Sequence, residues 1–260
     1  MISNMSCVDH RFLRIRRTLI DVSSMESKRE GVLLYRPGRW WLRWIPVVMG
    51  WFAWLPWPGR GLFDCSEISA DRRSLCEAKS LERCSDCVIS RVVWEKIESV
   101  IGACKFITIY LGNGSEKSKL TIKAHLLSGR DVIVKLGNTR AAADAIRNEW
   151  EVLKKLQASG FELRVPTVIG EVGCEGEWTW SVQTVLPRGR SPNRLQKEHF
   201  EFLEKLKAVG VSHGDFTPWN CSIVCRSLVV WDWEDAGPFV NGKDIDWFRK
   251  QVRELLGDRA

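Results

Sequence analysis

Three short β-forming runs, followed by a long amphipathic stretch, constrain the fold of this chain more than any other feature. The sequence predicts strands over residues 106–111, 119–127 and 131–136, with turns at Gly112-Asn113-Gly114 and Ser128-Gly129-Arg130. Tight turns of this kind join neighbouring antiparallel strands. The three runs therefore predict an antiparallel sheet.

Helical periodicity follows the third predicted strand. Apolar side chains recur at helical spacing over residues 141–156, which predicts a helix there. A further strand is predicted over 178–185, a second helix over 195–209, and a short strand over 228–233. The predicted fold class is therefore α+β.

Composition and charge exclude several classes of protein. Hydrophobic residues make up 45% of the 260 residues and charged residues 27%, which is ordinary for a globular chain and excludes wholesale disorder or a fibrous protein. The formal net charge is +7, but residues 1–62 alone carry a net +6. Because the larger part of the chain has almost no net charge, nucleic acid is not an expected partner.

A tryptophan-rich stretch between residues 39 and 60 allows two interpretations. It holds six tryptophans, and residues 44–59 carry no charge. A membrane-spanning helix needs about 20 apolar residues, and this run is shorter and contains three prolines. Tryptophan flanked by arginine suits the headgroup layer of a membrane, which favours an interfacial anchor. The alternative is a segment packed against the main domain.

The nine cysteines do not form a recognisable disulfide pattern. Cys84 and Cys87 form one CxxC pair, and Cys65 and Cys76 could complete four zinc ligands, but no second CxxC pair exists. Because structural zinc sites usually show paired spacing, free thiols are the favoured interpretation. The first residues also lack the pattern of a secretory signal, so a reducing cytosol is the expected compartment.

The most specific motif is the loop 211–220, which reads VSHGDFTPWN. Within it, Asp215 and Asn220 lie five residues apart, and Asp232 ends an apolar run twelve residues further on. Phosphoryl transfer requires a carboxylate facing the acceptor hydroxyl and oxygen ligands for a nucleotide-bound metal ion. Mg²⁺ keeps several waters, so one aspartate and one asparagine are a sufficient share from the protein. The loop therefore predicts a phosphoryl-transfer site.

Upstream residues fit the same chemistry. Lys135 lies in the third predicted strand, where a fixed ammonium suits phosphate oxygens, and Glu149 in the following helix could orient it by an ion pair. Gly112 and Gly114 lie in a loop that could cover phosphates with backbone N–H groups. Each feature alone is also typical of a solvated surface. Their order along the chain favours a shared function.

This order resembles the protein-kinase-like fold. The motifs His213-Gly214-Asp215 with Asn220, and Asp232-Trp233-Glu234, are similar to those of the aminoglycoside/choline phosphotransferase branch. The resemblance covers about residues 102–260. It implies a two-lobed fold with an antiparallel N-lobe sheet, about residues 101–186, and a short, mostly helical C-lobe, about residues 187–260. The basic, tryptophan-rich region 1–100 lies outside the resemblance.

The resemblance also implies roles for individual residues. Asp215 would be the catalytic base, and Asn220 and Asp232 would bind Mg²⁺. The implied nucleotide-binding residues are Lys135, Glu149, Gly112, Gly114, Gln183 and Val185, with Gln183 to Leu186 as the hinge beside adenine. Asp244 would brace the catalytic loop, and Asp246 is the other candidate for that role.

The chain departs from larger members of that branch in the regions that build the acceptor pocket. Only about 25 residues separate the implied hinge from His213, and 27 follow Trp233. The expected function is therefore ATP- and Mg²⁺-dependent phosphoryl transfer to a hydroxyl of a small molecule, a sugar or a cell-envelope glycan. The alternative is a non-catalytic nucleotide-binding or scaffold protein. The expected location is cytoplasmic, with the tryptophan-rich segment as a possible contact to the inner face of the membrane.

Overall fold

The computed structural model describes the backbone of residues 10–15, 18–21, 65–70, 89, 91–111, 115–161, 164–187, 189, 192 and 194–256. The tryptophan-rich segment, three of the four candidate zinc ligands, and Gly112 and Gly114 lie outside these residues. Among the helices described, none has the length and apolar character required to cross a bilayer.

Eight strands form one antiparallel sheet in the order β3-β1-β2-β4-β5-β6-β8-β7, with β3 and β7 at its two edges. The strands are β1 (His10–Ile15), β2 (Thr18–Asp21), β3 (Cys65–Ala70), β4 (Cys104–Tyr110), β5 (Leu120–Leu126), β6 (Asp131–Gly137), β7 (Val168–Glu175) and β8 (Trp178–Thr184). The predicted strands at 106–111, 119–127, 131–136 and 178–185 are confirmed to within two residues at each end.

The two faces of this sheet have different chemistry because side chains alternate along each strand. On one face, Ile122 and Val134 are buried against helix α1 (Arg91–Ile101), which packs through Val93 and Ile97. The opposite face carries Lys135 and other polar side chains toward a cleft. The sheet therefore holds a hydrophobic core on one side and presents functional groups on the other.

Helix α2 (Arg140–Ala158) follows β6, as the sequence predicts. Its first turn is capped by Thr139, whose hydroxyl accepts a hydrogen bond from the Ala142 amide at 3.1 Å. A cap of this kind stabilises a helix by about 1 kcal/mol. The buried side of α2 includes Ile146 and Leu153, which fixes the orientation of Glu149 on the same helix.

The second lobe contains two helices and four short strands among the residues described. Its elements are α3 (Lys197–Val209), β9 (Val211–Ser212), β10 (Cys221–Val224), β11 (Ser227–Val230), β12 (Gly237–Pro238) and α4 (Lys243–Leu256). Their core contains Phe202, Phe216, Trp233 and Phe248, each with no exposed surface. The loop between β9 and β10 and the turn after β11 lie on this core, and both carry site residues.

Residues preceding 101 contribute to the sheet as well. Strand β2 pairs with β4 in antiparallel register, with Thr18 opposite Tyr110 and Ile20 opposite Thr108. Strands β1 and β3 continue the sheet beyond β2. The edge of β4 is therefore covered by strands from the N-terminal region.

Candidate active site

A cleft of about 420 Å³ lies between the polar face of the sheet and the second lobe. It is lined by residues from distant parts of the chain, including the predicted site residues Lys135, Gln183, Val185, Asp215, Asn220 and Asp232. Glu149 reaches it from α2 through its contact with Lys135. Gly112 and Gly114 lie outside the residues that the structure describes.

The ammonium of Lys135 lies between two carboxylates. Its Nζ donates to Glu149 Oε1 and to Asp232 Oδ1, both at 2.7 Å. Glu149 Oε1 also accepts a hydrogen bond from the Trp233 amide at 3.2 Å. These contacts join β6, α2 and the turn after β11. The ion pair between Lys135 and Glu149 that the order of residues predicts is present.

Lys135 and Asp232 stabilise each other's ionised forms. Burial by itself would lower the pKa of Lys135, but Asp232 and Glu149 outweigh burial and raise that pKa above the usual lysine value. Burial would likewise raise the pKa of Asp232, but Lys135 and Lys119 hold it well below the usual aspartate range. Lys135 is therefore held as an ammonium and Asp232 as a carboxylate.

The backbone at Asp232 is held in an unusual conformation. Its φ angle is +69°, in the left-handed region that few residues other than glycine adopt. Such a conformation costs about 1–3 kcal/mol and persists where the surroundings fix it, often at functional sites. Here it turns the chain sharply after β11 at the residue that contacts Lys135.

The carboxylate of Asp215 is held by two donors. Asn220 Nδ2 donates to Oδ2 at 2.9 Å, and Trp247 Nε1 donates to Oδ1 at 2.7 Å. Burial raises the pKa of Asp215, and the hydrogen bond from Trp247 opposes that rise. Asp215 is therefore a fixed carboxylate that faces the same cleft as Lys135.

The loop that carries Asp215 is braced from α4. Asp244 accepts hydrogen bonds from the amides of His213 and Gly214 at 2.9 and 3.0 Å. His213 is buried, and its Nε2 lies 3.1 Å from the Trp231 carbonyl, so it links the loop to the turn after β11. Burial lowers the pKa of His213, which favours a neutral imidazole. The bracing role predicted for Asp244 therefore has the expected geometry, and its rival Asp246 instead pairs with Arg249.

Gly214 is required by this packing. Its φ angle is +85°, and a Cβ atom at this position would lie 1.9 Å from the Asp235 carbonyl oxygen. No side chain fits there without a shift of the backbone. The close approach of these two segments explains why glycine stands between His213 and Asp215.

The donor set of the cleft fits a hard divalent cation. Both hydrogen bonds of the Asn220 amide use Nδ2, which leaves Oδ1 as a possible ligand. Asp232 uses Oδ1 for Lys135, which leaves its second oxygen. Carboxylate and amide oxygens suit Mg²⁺. No group of three or more His, Cys, Asp or Glu that could hold a metal ion occurs among the described residues, the cleft included, so water or substrate oxygens would have to complete the ligands of a cation at Asn220 and Asp232.

Two further lysines link the segment after the glycine loop to the turn that follows Asp232. Lys117 Nζ lies 2.9 Å from Asp235 Oδ1, and Lys119 forms an ion pair with Glu234. Burial and the nearby charge of Lys135 lower the pKa of Lys119 to about 8. The two lobes are therefore joined by ion pairs at this end of the cleft.

Sequence reasoning missed three residues of this arrangement. They are Lys119, Trp247 and Asn148. The Nδ2 of Asn148 donates to the carbonyls of Glu234 and Ala236, at 2.9 Å each. Asn148 precedes Glu149, so helical geometry placed it near the site. The only signal for Trp247 was its position three residues after Asp244, on the same face of a helix.

Comparisons with known proteins support the fold. No protein-family model matches the sequence, and no curated protein matches it. Among solved structures, "Amicoumacin kinase hAmiN in complex with AMP-PNP, Ca2+ and Ami" is similar with a TM-score of 0.50 and 13% sequence identity, over 70% of this chain and 74% of that chain. At that identity the likeness concerns the fold alone. The predicted kinase-like α+β fold is confirmed, and the particular branch stays a prediction.

Proposed function

We propose that this chain is an ATP- and Mg²⁺-dependent phosphotransferase that moves the γ-phosphoryl group to a hydroxyl of a small molecule, a sugar or a cell-envelope glycan. The observation that carries the proposal is the grouping in one cleft of a lysine paired with Glu149 and Asp232, and a carboxylate at Asp215 beside Asn220. A cationic group for phosphates, hard oxygen ligands and a candidate base are the parts that phosphoryl transfer requires.

The nucleotide would lie along the cleft. Lys135 would contact the phosphates, and Glu149 would hold the ammonium of Lys135 in place. The hinge segment from Gln183 to Leu186 would present backbone groups to the adenine, and Gly112 and Gly114 would cover the phosphates. Asn220 and Asp232 would hold Mg²⁺, which when bound neutralises phosphate charge.

The chemical step would depend mainly on positioning and electrostatics. The acceptor oxygen forms its bond to the γ-phosphorus while the bond from that phosphorus to the bridging oxygen breaks. Asp215 takes up the hydroxyl proton. It must be ionised to do so, and because burial raises its pKa, activity should fall on acidification at a pH above the usual aspartate value.

The first prediction concerns Asp215→Asn. We expect transfer of labelled phosphate from γ-labelled ATP to be lost, because the amide cannot accept the hydroxyl proton. Nucleotide binding, measured by calorimetry with AMP-PNP and Mg²⁺, should change less than about threefold, since Lys135 and Asp232 are untouched. The acceptor would be found by a screen of cell-envelope sugars with the wild-type protein.

A matched control is Asp246→Asn, which removes the same charge from an exposed side chain on α4. That variant should transfer phosphate at the wild-type rate. Unchanged turnover in Asp215→Asn would refute the proposed role of the residue.

The alternative of a non-catalytic nucleotide-binding protein would require that Asp215 cannot reach an acceptor. Both oxygens of Asp215 already accept hydrogen bonds from the protein. A carboxylate has about four lone-pair positions, so the two contacts leave room for an acceptor hydroxyl. A protein that binds AMP-PNP and Mg²⁺ but transfers phosphate to neither water nor any sugar would establish the alternative.

A further inference from the structure

We propose that Trp247 is a positioning residue that orients the carboxylate of Asp215 for the transfer reaction, an inference that rests on the function proposed above. The indole Nε1 of Trp247 donates to Asp215 Oδ1 at 2.7 Å, the shorter of the two side-chain hydrogen bonds that this carboxylate accepts. Hydrogen bonds to an ionised acceptor are about twice as strong as neutral ones.

The chemistry of an indole suits this task. Its N–H is a donor only and carries no charge, so it neither neutralises the carboxylate nor competes for the proton. With Asn220 on Oδ2 and Trp247 on Oδ1, both oxygens are fixed, and the plane of the carboxylate is defined. Each oxygen keeps a lone-pair position for the acceptor hydroxyl.

Helix α4 holds Trp247 in place. Asp244, three residues earlier on the same face, accepts hydrogen bonds from the His213 and Gly214 amides. Asp244 therefore fixes the backbone of the loop, and Trp247, one turn later, fixes the Asp215 carboxylate. The neighbouring Phe248 has no exposed surface and anchors the helix in the core. Lys250 lies with its Nζ 5.0 Å from the centre of the Trp247 ring, a cation–π contact on the same face.

The position of Trp247 relative to the reaction follows from these contacts. Its indole N–H donates to Asp215, whereas the ammonium of Lys135 pairs with Glu149 and Asp232. Its loss should therefore slow the chemical step and leave nucleotide affinity unchanged. A displacement of about 1 Å at a reacting group can reduce a rate by about a hundredfold.

The kinetic test uses Trp247→Phe in the full chain, which keeps a ring and removes the N–H. We expect kcat to fall at least about tenfold, while KM for ATP stays within about twofold. The control is Trp150→Phe on α2, which removes an indole N–H that donates to the Gly170 carbonyl in β7. That variant should keep the wild-type kcat. A Trp247→Phe protein with wild-type kcat, or with an equal loss in nucleotide affinity, would overturn the proposal.

A second measurement does not depend on activity. In ¹⁵N spectra of the full chain, Trp247→Phe identifies the Trp247 indole resonance by its disappearance from the signals of 14 tryptophans. That resonance should move upfield in Asp215→Asn, because a charge-assisted hydrogen bond becomes a neutral one. An unmoved resonance would refute the contact itself. If the resonance moves in Asp215→Asn but the wild-type protein transfers no phosphate, the contact is present and the proposed function is refuted. The catalytic purpose of the contact is then refuted as well.

Discussion

At the scale of single residues, the centre of the site is the ammonium of Lys135 between Glu149 and Asp232. The Glu149 side chain is 1% exposed, and its Oε1 lies 2.7 Å from Lys135 Nζ. Removing one partner of a buried ion pair leaves the other charge uncompensated, which costs more than replacing both. We therefore expect the pair to affect stability and, under the proposed function, nucleotide binding.

This arrangement makes Lys135→Met a test of stability and of function. We expect the free energy of unfolding, measured with urea, to fall by about 3 kcal/mol, because Glu149 loses its counter-ion. The double variant Lys135→Met/Glu149→Gln should recover most of that loss, since glutamine is neutral and can still accept the Trp233 amide. Neither variant should bind AMP-PNP as the wild type does. Equal instability of the two variants would contradict this account.

The residues of this centre could be predicted from the sequence, because their types and order are specific even though they lie up to 97 residues apart. Their distances and charge states could not. The positive φ of Asp232 arises from how the turn after β11 meets Lys135, and the contact of Trp247 depends on the orientation of α4. Neither leaves a periodic signal in the sequence.

At the scale of secondary structure, prediction succeeded where burial alternates. Strand β5 buries Leu120, Ile122 and Ala124 on one face, and this period of two is visible in the sequence. Strand β7 has no such alternation, and its register with β8 shifts between Ile169 and Gly173. A Cβ atom at Gly173 would lie 2.1 Å from the Trp180 ring, so this glycine is required by packing across the sheet.

The sequence analysis did not predict strand β7, and it did not predict helices α1 and α4 either.

Helix α4 gives a prediction at this scale. Asp244→Asn should lower the free energy of unfolding by about 1–3 kcal/mol, because the NH₂ group of asparagine cannot accept one of the two hydrogen bonds that the carboxylate accepts from the His213 and Gly214 amides. Urea unfolding measures the change, and kcat should fall with it. Asp246→Asn, two residues away and exposed, should stay within about 0.5 kcal/mol of the wild type. Equal losses in both variants would show that Asp244 has no bracing role.

At the scale of the whole molecule, the sheet joins regions that the sequence analysis separated at residue 100. Strand β2 pairs with β4, and α1 packs on the outer face of the same sheet. The tertiary pairing of the four-residue strand β2 with β4 has no local signature, which is why it was not predicted. We infer that β1, β2, β3 and α1 form one folding unit with the kinase-like region.

Deletion of residues 1–88 tests that inference. The deletion removes β1, β2 and β3 and exposes the edge of β4, and an unpaired edge promotes association between chains. We expect a lower Tm and concentration-dependent association in sedimentation experiments. The control removes only residues 24–62 and joins β2 to β3 with a flexible linker of about 12 residues. This control variant retains all three strands and should unfold at the wild-type Tm. If its Tm falls as far as that of the 1–88 deletion, residues 24–62 and not the strands support the fold.

The same control separates the two interpretations of the tryptophan-rich segment. A deletion of residues 1–62 would remove β1 and β2 together with the tryptophans, because both strands lie before that segment. The control, which removes only residues 24–62, keeps both strands. If residues 39–60 form an interfacial anchor, the full chain floats with anionic liposomes and the control does not, since tryptophan and arginine provide the contact with the headgroups. Equal flotation of the two proteins would show that this segment does not bind the membrane.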